Sequence, residues 1–242
     1  NGTLVYLPGG VAATARTLVW LDRQGREEAI KAPPRTYEYP RLAPDGTRIA
    51  LDIRDQESDI WVWDLARETL TRLTFDLTID RYPVWTPDSK RIVFSSDRAG
   101  AANLYWQAAD NTGTVERLTQ SPNIQYATSI SPDSTRLVFE EARPSRDIMA
   151  LTLDKDRHAE PLVQSQMYEE QNGEVSPDGR WLAYESNESG RNEIYVRPYP
   201  GVNSGRWQVS TMGGTQPLWA RNGQELFYVA PDGTLMRVAV ER

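Results

Sequence analysis

Residues able to do chemistry are few in this chain of 242 amino acids. Cysteine is absent, which removes thiol nucleophiles, disulfide staples and thiolate metal sites. The single histidine, His158, sits in the stretch Asp-Lys-Asp-Arg-His ahead of an expected outer strand and reads as a solvated turn residue. One histidine is too few for a histidine-built metal site. No Gly-x-Ser-x-Gly elbow, phosphate-binding loop, dinucleotide fingerprint or acidic calcium loop occurs either. What remains is carboxylate, guanidinium and phenol. Asp80 and Glu170, with Glu38 as a third, are candidate ligands for Ca2+ or Mg2+, hard cations that take carboxylate, carbonyl and water oxygens. Glu38, Tyr39, Arg81, Tyr82, Arg98, Tyr126, Arg146 and Gln171 are candidate contacts for a protein or peptide, since Tyr and Arg dominate the energetics of such surfaces.

These residues are scattered along the chain, so only a repeating architecture can gather them. A turn phrase recurs as Pro44-Asp45-Gly46, Pro87-Asp88-Ser89, Pro132-Asp133-Ser134, Pro177-Asp178-Gly179 and Arg221-Asn222-Gly223, with Asn1-Gly2 as the remnant of a sixth. The turns at positions 1, 45, 88, 133, 178 and 222 are separated by 44, 43, 45, 45 and 44 residues. A period of this length filled with short strands predicts propeller blades. In the unit 79–123, Tyr82 to Thr86 is the expected inner strand, Arg91 to Ser95 the second, Asn103 to Trp106 the third and Val115 to Thr119 the outer one. Each run is short, rich in β-branched and aromatic residues, and bounded by Gly, Pro, Asp or Asn. The units align column by column: Ile49, Ile92, Leu137, Leu182 and Leu226 in second strands, and Leu18, Ile60, Leu104, Ile148 and Ile194 in third strands. These columns are the expected packing faces between sheets.

The fold expected is therefore all-β, a six-bladed β-propeller with four-stranded antiparallel blades, the first and last incomplete. It forms a single domain over 1–242, with blades at about 1–36, 37–78, 79–123, 124–168, 169–214 and 215–242. The first unit lacks an inner strand and the last an outer one, and unpaired edges of this kind invite pairing with another molecule. In such a ring the segments leading into the inner strands share one face with the loops between second and third strands. The candidate residues then converge on the mouth of a central channel.

A net charge of −7 and a pI near 4.9 give no electrostatic footprint for nucleic acid. No apolar run approaches the ~18 residues of a membrane span, so direct membrane insertion is not expected. The chain opens at Asn1, inside a repeat, which reads as the end of a mature or excised piece.

The phrases Ser-Pro-Asp-Gly-Arg-Trp-Leu-Ala-Tyr (176–184), Phe-Ser-Ser-Asp-Arg-Ala-Gly (94–100), Asp-Ile-Trp-Val (59–62) and Arg-Leu-Thr (72–74 and 117–119) resemble the TolB-like propellers, built from Pro-Asp repeats related to WD repeats. Residues 2–9 and 17–26 look closer still to propellers carried behind bacterial serine/threonine kinase domains, although no kinase motif lies in this chain. The resemblance implies an extracytoplasmic sensor or scaffold, on the periplasmic or cell-surface side. The function expected is a non-catalytic binding module recognising a protein or peptide at the channel mouth. The alternative is a metal-dependent hydrolase or lyase with a cation at the propeller axis, where metal-held water acts without histidine or cysteine.

Overall fold

The computed structural model describes residues 4–6, 15–55, 57–142 and 144–240, the side chains of 4–6 excepted. The expected turn at Asn1-Gly2 and the loop residue Arg143 lie outside the described residues. The chain divides into two compact units, Asn1–Pro122 and Asn123–Arg242.

In the first unit, Leu4–Tyr6, Val19–Leu21 and Glu27–Ala29 form a small three-stranded sheet. Two four-stranded sheets follow. One comprises Tyr37–Leu42, Arg48–Arg54, Ser58–Asp64 and Thr69–Arg72, the other Asp80–Trp85, Arg91–Ser96, Asn103–Ala108 and Glu116–Arg117. The second unit begins with two more. The first holds Ile124–Ile130, Arg136–Ala142, Arg146–Thr152 and Ala159–Val163, and the next Glu170–Val175, Trp181–Ser186, Glu193–Pro198 and Trp207–Gln208. Thr215–Trp219, Glu225–Val229 and Leu235–Ala239 close the chain as a three-stranded sheet. Every sheet is an antiparallel meander, in which each strand pairs with its neighbour in sequence.

The expected count of six blades is corrected to five. Five sheets open with a first strand, at Tyr37, Asp80, Ile124, Glu170 and Thr215, and four of them carry the full four strands. The N-terminal sheet is built from three-residue strands, and the described residues before Tyr37 supply no first strand. It is a cover for the next sheet rather than a blade: Leu18, Ile30 and Ala32 are buried together with Tyr37, Ile49, Leu51 and Ile53.

The Pro-Asp turns form for a local reason. Asp88 Oδ1 accepts from the Thr86 hydroxyl at 2.6 Å and from the Lys90 N–H at 3.0 Å. Asp133 and Asp178 repeat this with the Ser131 and Ser176 hydroxyls, at 2.6 and 2.7 Å. An Asp side chain thus replaces backbone acceptors while the chain reverses. The residue after each Asp or Asn turns left-handed, at Gly46, Ser89, Ser134, Gly179 and Gly223, with φ of 79, 58, 61, 69 and 67°.

The core is made of the predicted columns. Ile49, Ile92, Leu137 and Leu182 are fully buried, as are Leu18, Ile60, Leu104, Ile148 and Ile194. Leu235, at the corresponding position of the last sheet's third strand, is only half-buried, because among the described residues no fourth strand covers it. Repeats are also tied by hydrogen bonds about one period apart. The Trp85 indole donates to the Arg41 carbonyl at 2.8 Å, and the Trp219 indole to that of Glu174 at 2.9 Å.

Candidate binding site at the starts of the first strands

Every first strand is interrupted at the same place. The register with the second strand shifts between Glu38 and Arg41, Arg81 and Val84, Ala127 and Ser129, Gln171 and Glu174, and Thr215 and Leu218. Within four of these shifts one residue is left-handed: Tyr39, Tyr82, Asn172 and Gln216, with φ of 44, 57, 54 and 54°. Such a bulge frees a backbone N–H from the ladder and re-aims the side chain. At three of these four residues the freed group is satisfied by a buried carboxylate on the second strand of the preceding repeat. Asn172 N–H donates to Glu140 Oε1 at 2.7 Å, Gln216 N–H to Glu185 Oε1 at 2.5 Å, and Tyr82 N–H to Asp52.

In the first unit these contacts build an aromatic and ionic cluster. Arg54 grips Asp52 through Nε at 3.1 Å and Nη2 at 2.9 Å, and its guanidinium lies 5.6 Å from the Tyr39 ring centre. Tyr39 and Tyr82 lie against each other with ring centres 4.4 Å apart. Burial, and then the neighbouring Tyr82, push the Tyr39 phenol up. Glu38 pairs with Arg16 at 2.7 Å. Arg81 reaches Ser58 Oγ at 3.5 Å, and its buried Nε has no partner.

In the second unit Arg146 donates to Gln171 Oε1 at 3.0 Å, lies 3.6 Å from Glu140 Oε2, and sits 5.6 Å from the Tyr126 ring centre. Asn172 Nδ2 donates to Glu185. Burial pushes the Glu185 carboxyl up to about 7, against the opposing pull of the Gln216 N–H, and burial likewise raises Glu140.

The predicted contact residues are thus gathered in two groups. Tyr39 and Tyr82 touch in the first unit, while Tyr126, Arg146 and Gln171 come together in the second. Arg98 is engaged differently. It bridges Asp80, at 3.1 Å, and Asp76, at 2.9 Å, over the rings of Phe94 and Tyr105. Of the proposed cation ligands, Asp80 belongs to the first unit with both oxygens on Arg98, and Glu38 is bound by Arg16. Glu170 belongs to the second unit. Its Oε1 accepts from the Ser186 hydroxyl at 3.3 Å, and its buried Oε2 has no partner. Among the described residues no group of three or more His, Asp or Glu side chains is placed to hold a metal ion.

Residue reasoning missed Asp52, Glu140 and Glu185. The signal was present as an acid in the same column of three second strands.

The sequence pattern of the TolB beta propeller domain matches residues 18–174. The chain belongs to this family. Among curated proteins, the TolB-type propeller is 33% identical over 126 residues to an uncharacterized protein of Agrobacterium fabrum, covering 47% of this chain and 43% of that one. It is 29% identical over 143 residues to a TolB homologue of Chlorobium luteolum, covering 57% of this chain and 31% of that one. The chain spans less than half the length of these relatives. Among solved structures, TolB from Acinetobacter baumannii superimposes with a TM-score of 0.79 at 22% identity, over 100% of this chain and 64% of that one. That likeness is one of fold and agrees with an all-β propeller.

Proposed function

We propose that this TolB-type propeller is a non-catalytic protein-binding module working outside the cytoplasm. The observation that carries the reading is the composition of the connections leading into first strands. In the first unit Phe75, Leu77 and Ile79 project to solvent just ahead of Arg81 and Tyr82, with Leu77 94% and Phe75 65% exposed. In the second unit Met167 and Met212 are exposed on the equivalent connections, and Ile124 at the first residue of its strand. Large apolar side chains grouped this way, beside Tyr and Arg, mark a surface that a partner covers. Glu38, Tyr39, Arg81, Tyr82 and Arg98 are the proposed polar and aromatic contacts in the first unit, and Tyr126, Arg146 and Gln171 those in the second. The family and its TolB-named relative support the protein partner and the extracytoplasmic compartment. No observation favours the hydrolase or lyase alternative.

The test is site-specific photo-crosslinking from position 77 in the native host, with and without Phe75→Glu and Arg81→Glu. The native surface is expected to capture a defined protein, and the folded double variant to lose it. Equal capture by both would overturn the reading. The finer proposal, attachment behind a kinase domain, is checked by the full gene sequence.

A further inference from the structure

Three of the complete sheets fasten their outer strand to the third in the same way. The Ile60, Leu104 and Ile194 carbonyls accept from the N–H groups of Leu73, Leu118 and Val209, each at 2.8 Å. The N–H groups of the same three residues donate to the hydroxyl that follows, Thr74 at 3.0 Å, Thr119 at 3.0 Å and Ser210 at 2.8 Å. An apolar residue followed by a hydroxyl is thus the clasp. The remaining complete sheet keeps its apolar half, Val163 opposite Ile148. Acids recur two residues before the apolar one, with Glu116 facing Trp106 and Glu160 facing Ala150.

In the last sheet Leu235 holds the position of Ile60 and Ile194, paired with Val229 as they are with Asp52 and Glu185. The Ala230 N–H donates to the Thr234 carbonyl and the Val240 N–H to that of Gln224, both at 2.9 Å. Bonded and non-bonded pairs alternate along an antiparallel ladder. Leu235, Arg237 and Ala239 therefore turn their N–H and C=O groups away from the second strand. Among the described residues no fourth strand receives them. Leu235 is half-buried, and Met236, Arg237 and Ala239 are exposed. Arg237 stands where Trp106 and Ala150 stand in their sheets, and its side chain is 58% exposed. An acid opposite it adds a favourable cross-strand pair. Thr234 replaces the Asp59 and Asn103 that hold Arg72 and Arg117, so no arginine is needed next to the apolar residue.

We propose that the edge of Leu235–Ala239 takes up an extended segment of a partner protein as an antiparallel fourth strand. The segment reads acid, any residue, then Leu, Ile or Val, then Ser or Thr. Its apolar residue covers Leu235 and donates to the Leu235 carbonyl, its hydroxyl accepts from the Leu235 N–H, and its acid meets Arg237. Backbone bonds supply the affinity of such an added strand, and the alternating side chains supply the choice of sequence. This edge is made of residues other than those of the connections described above, and the inference stands without that reading.

The probe is a capped synthetic peptide with the sequence of Gly113–Ser121, which carries Glu-Arg-Leu-Thr, titrated into the purified chain by fluorescence anisotropy. Leu118→Asp in the peptide is expected to weaken binding at least about tenfold, and Thr119→Val about threefold. Hydrogen exchange followed by NMR is expected to slow at the amides of Leu235, Arg237 and Ala239 when the peptide binds. In the chain, Arg237→Pro removes the central edge donor without breaking a bond to the second strand, and proline is tolerated at such an edge. It is expected to abolish peptide binding, and Ala239→Pro replaces it if that variant does not fold. Absent binding, equal binding of the Leu118→Asp peptide, or slowed exchange elsewhere but not at these three amides would overturn the proposal. So would a full gene product that no longer takes the peptide, since its own chain then fills the edge. Crosslinking at position 77 that succeeds while the peptide fails sinks this inference alone. Peptide binding without any protein crosslinked at position 77 keeps the strand site and sinks the reading of the connections.

Discussion

Asp80 and Glu170 begin their strands at equivalent positions, both are almost wholly buried, and Asp80 is paired with the Arg98 guanidinium. Removing Arg98 would leave Asp80 as an unpaired buried charge. We expect Arg98→Met to cost about 3 kcal/mol by urea denaturation, and Asp80→Asn in the same chain to return most of it. Glu170 and Glu185 shape the pH response. Each ordinarily titrates near 4.5 and is pushed up to about 7 by burial. In the native protein both hold their protons where the unfolded chain has released them. Their contribution is thus complete below about pH 4.5 and is lost as pH rises through 7. The urea midpoint should fall across that window, and the double variant Glu170→Gln, Glu185→Gln should flatten the fall. The sequence exposed Asp80, Glu170 and Arg98 as charged residues near strand ends. It did not expose their pairing, because whether Arg98 faces a partner or Asp80 depends on side-chain direction across a turn.

At the level of strands and turns, the Pro-Asp phrases and the apolar columns were legible, since both are local patterns. The bulge in each first strand was not. Pro40 and Pro83 bias the residue before them toward extended backbone, yet Tyr39 and Tyr82 are left-handed. The carboxylate that captures the displaced N–H lies a whole repeat upstream, beyond the reach of a local pattern. The turns themselves offer a clean test. Ser134 is exposed and holds φ of 61° where Gly179 holds 69°. A side chain in that region is strained, and glycine is not. Ser134→Gly should therefore stabilise the chain by about 0.5 kcal/mol, and Gly179→Ala should cost about 1 kcal/mol. Paired thermal melts would measure both.

For the molecule as a whole, the repeat period announced the propeller family, while the count of blades depended on whether residues 1–36 supply a first strand. The described ones do not, and Leu18, Ile30 and Ala32 are buried instead with Tyr37, Ile49, Leu51 and Ile53. Deleting 1–36 should destabilise the first unit by at least about 3 kcal/mol, read as faster proteolysis ahead of residue 122. The bulged first strands have one more consequence. Each lies at the margin of its sheet, where an intruding β-strand would look for a template. Pro40, Pro83 and Pro217 offer no N–H there, and the adjoining left-handed residues break the spacing of the groups that remain. A foreign peptide has no straight ladder to zip onto at these margins. Concentrated solutions should accordingly resist amyloid seeding from them.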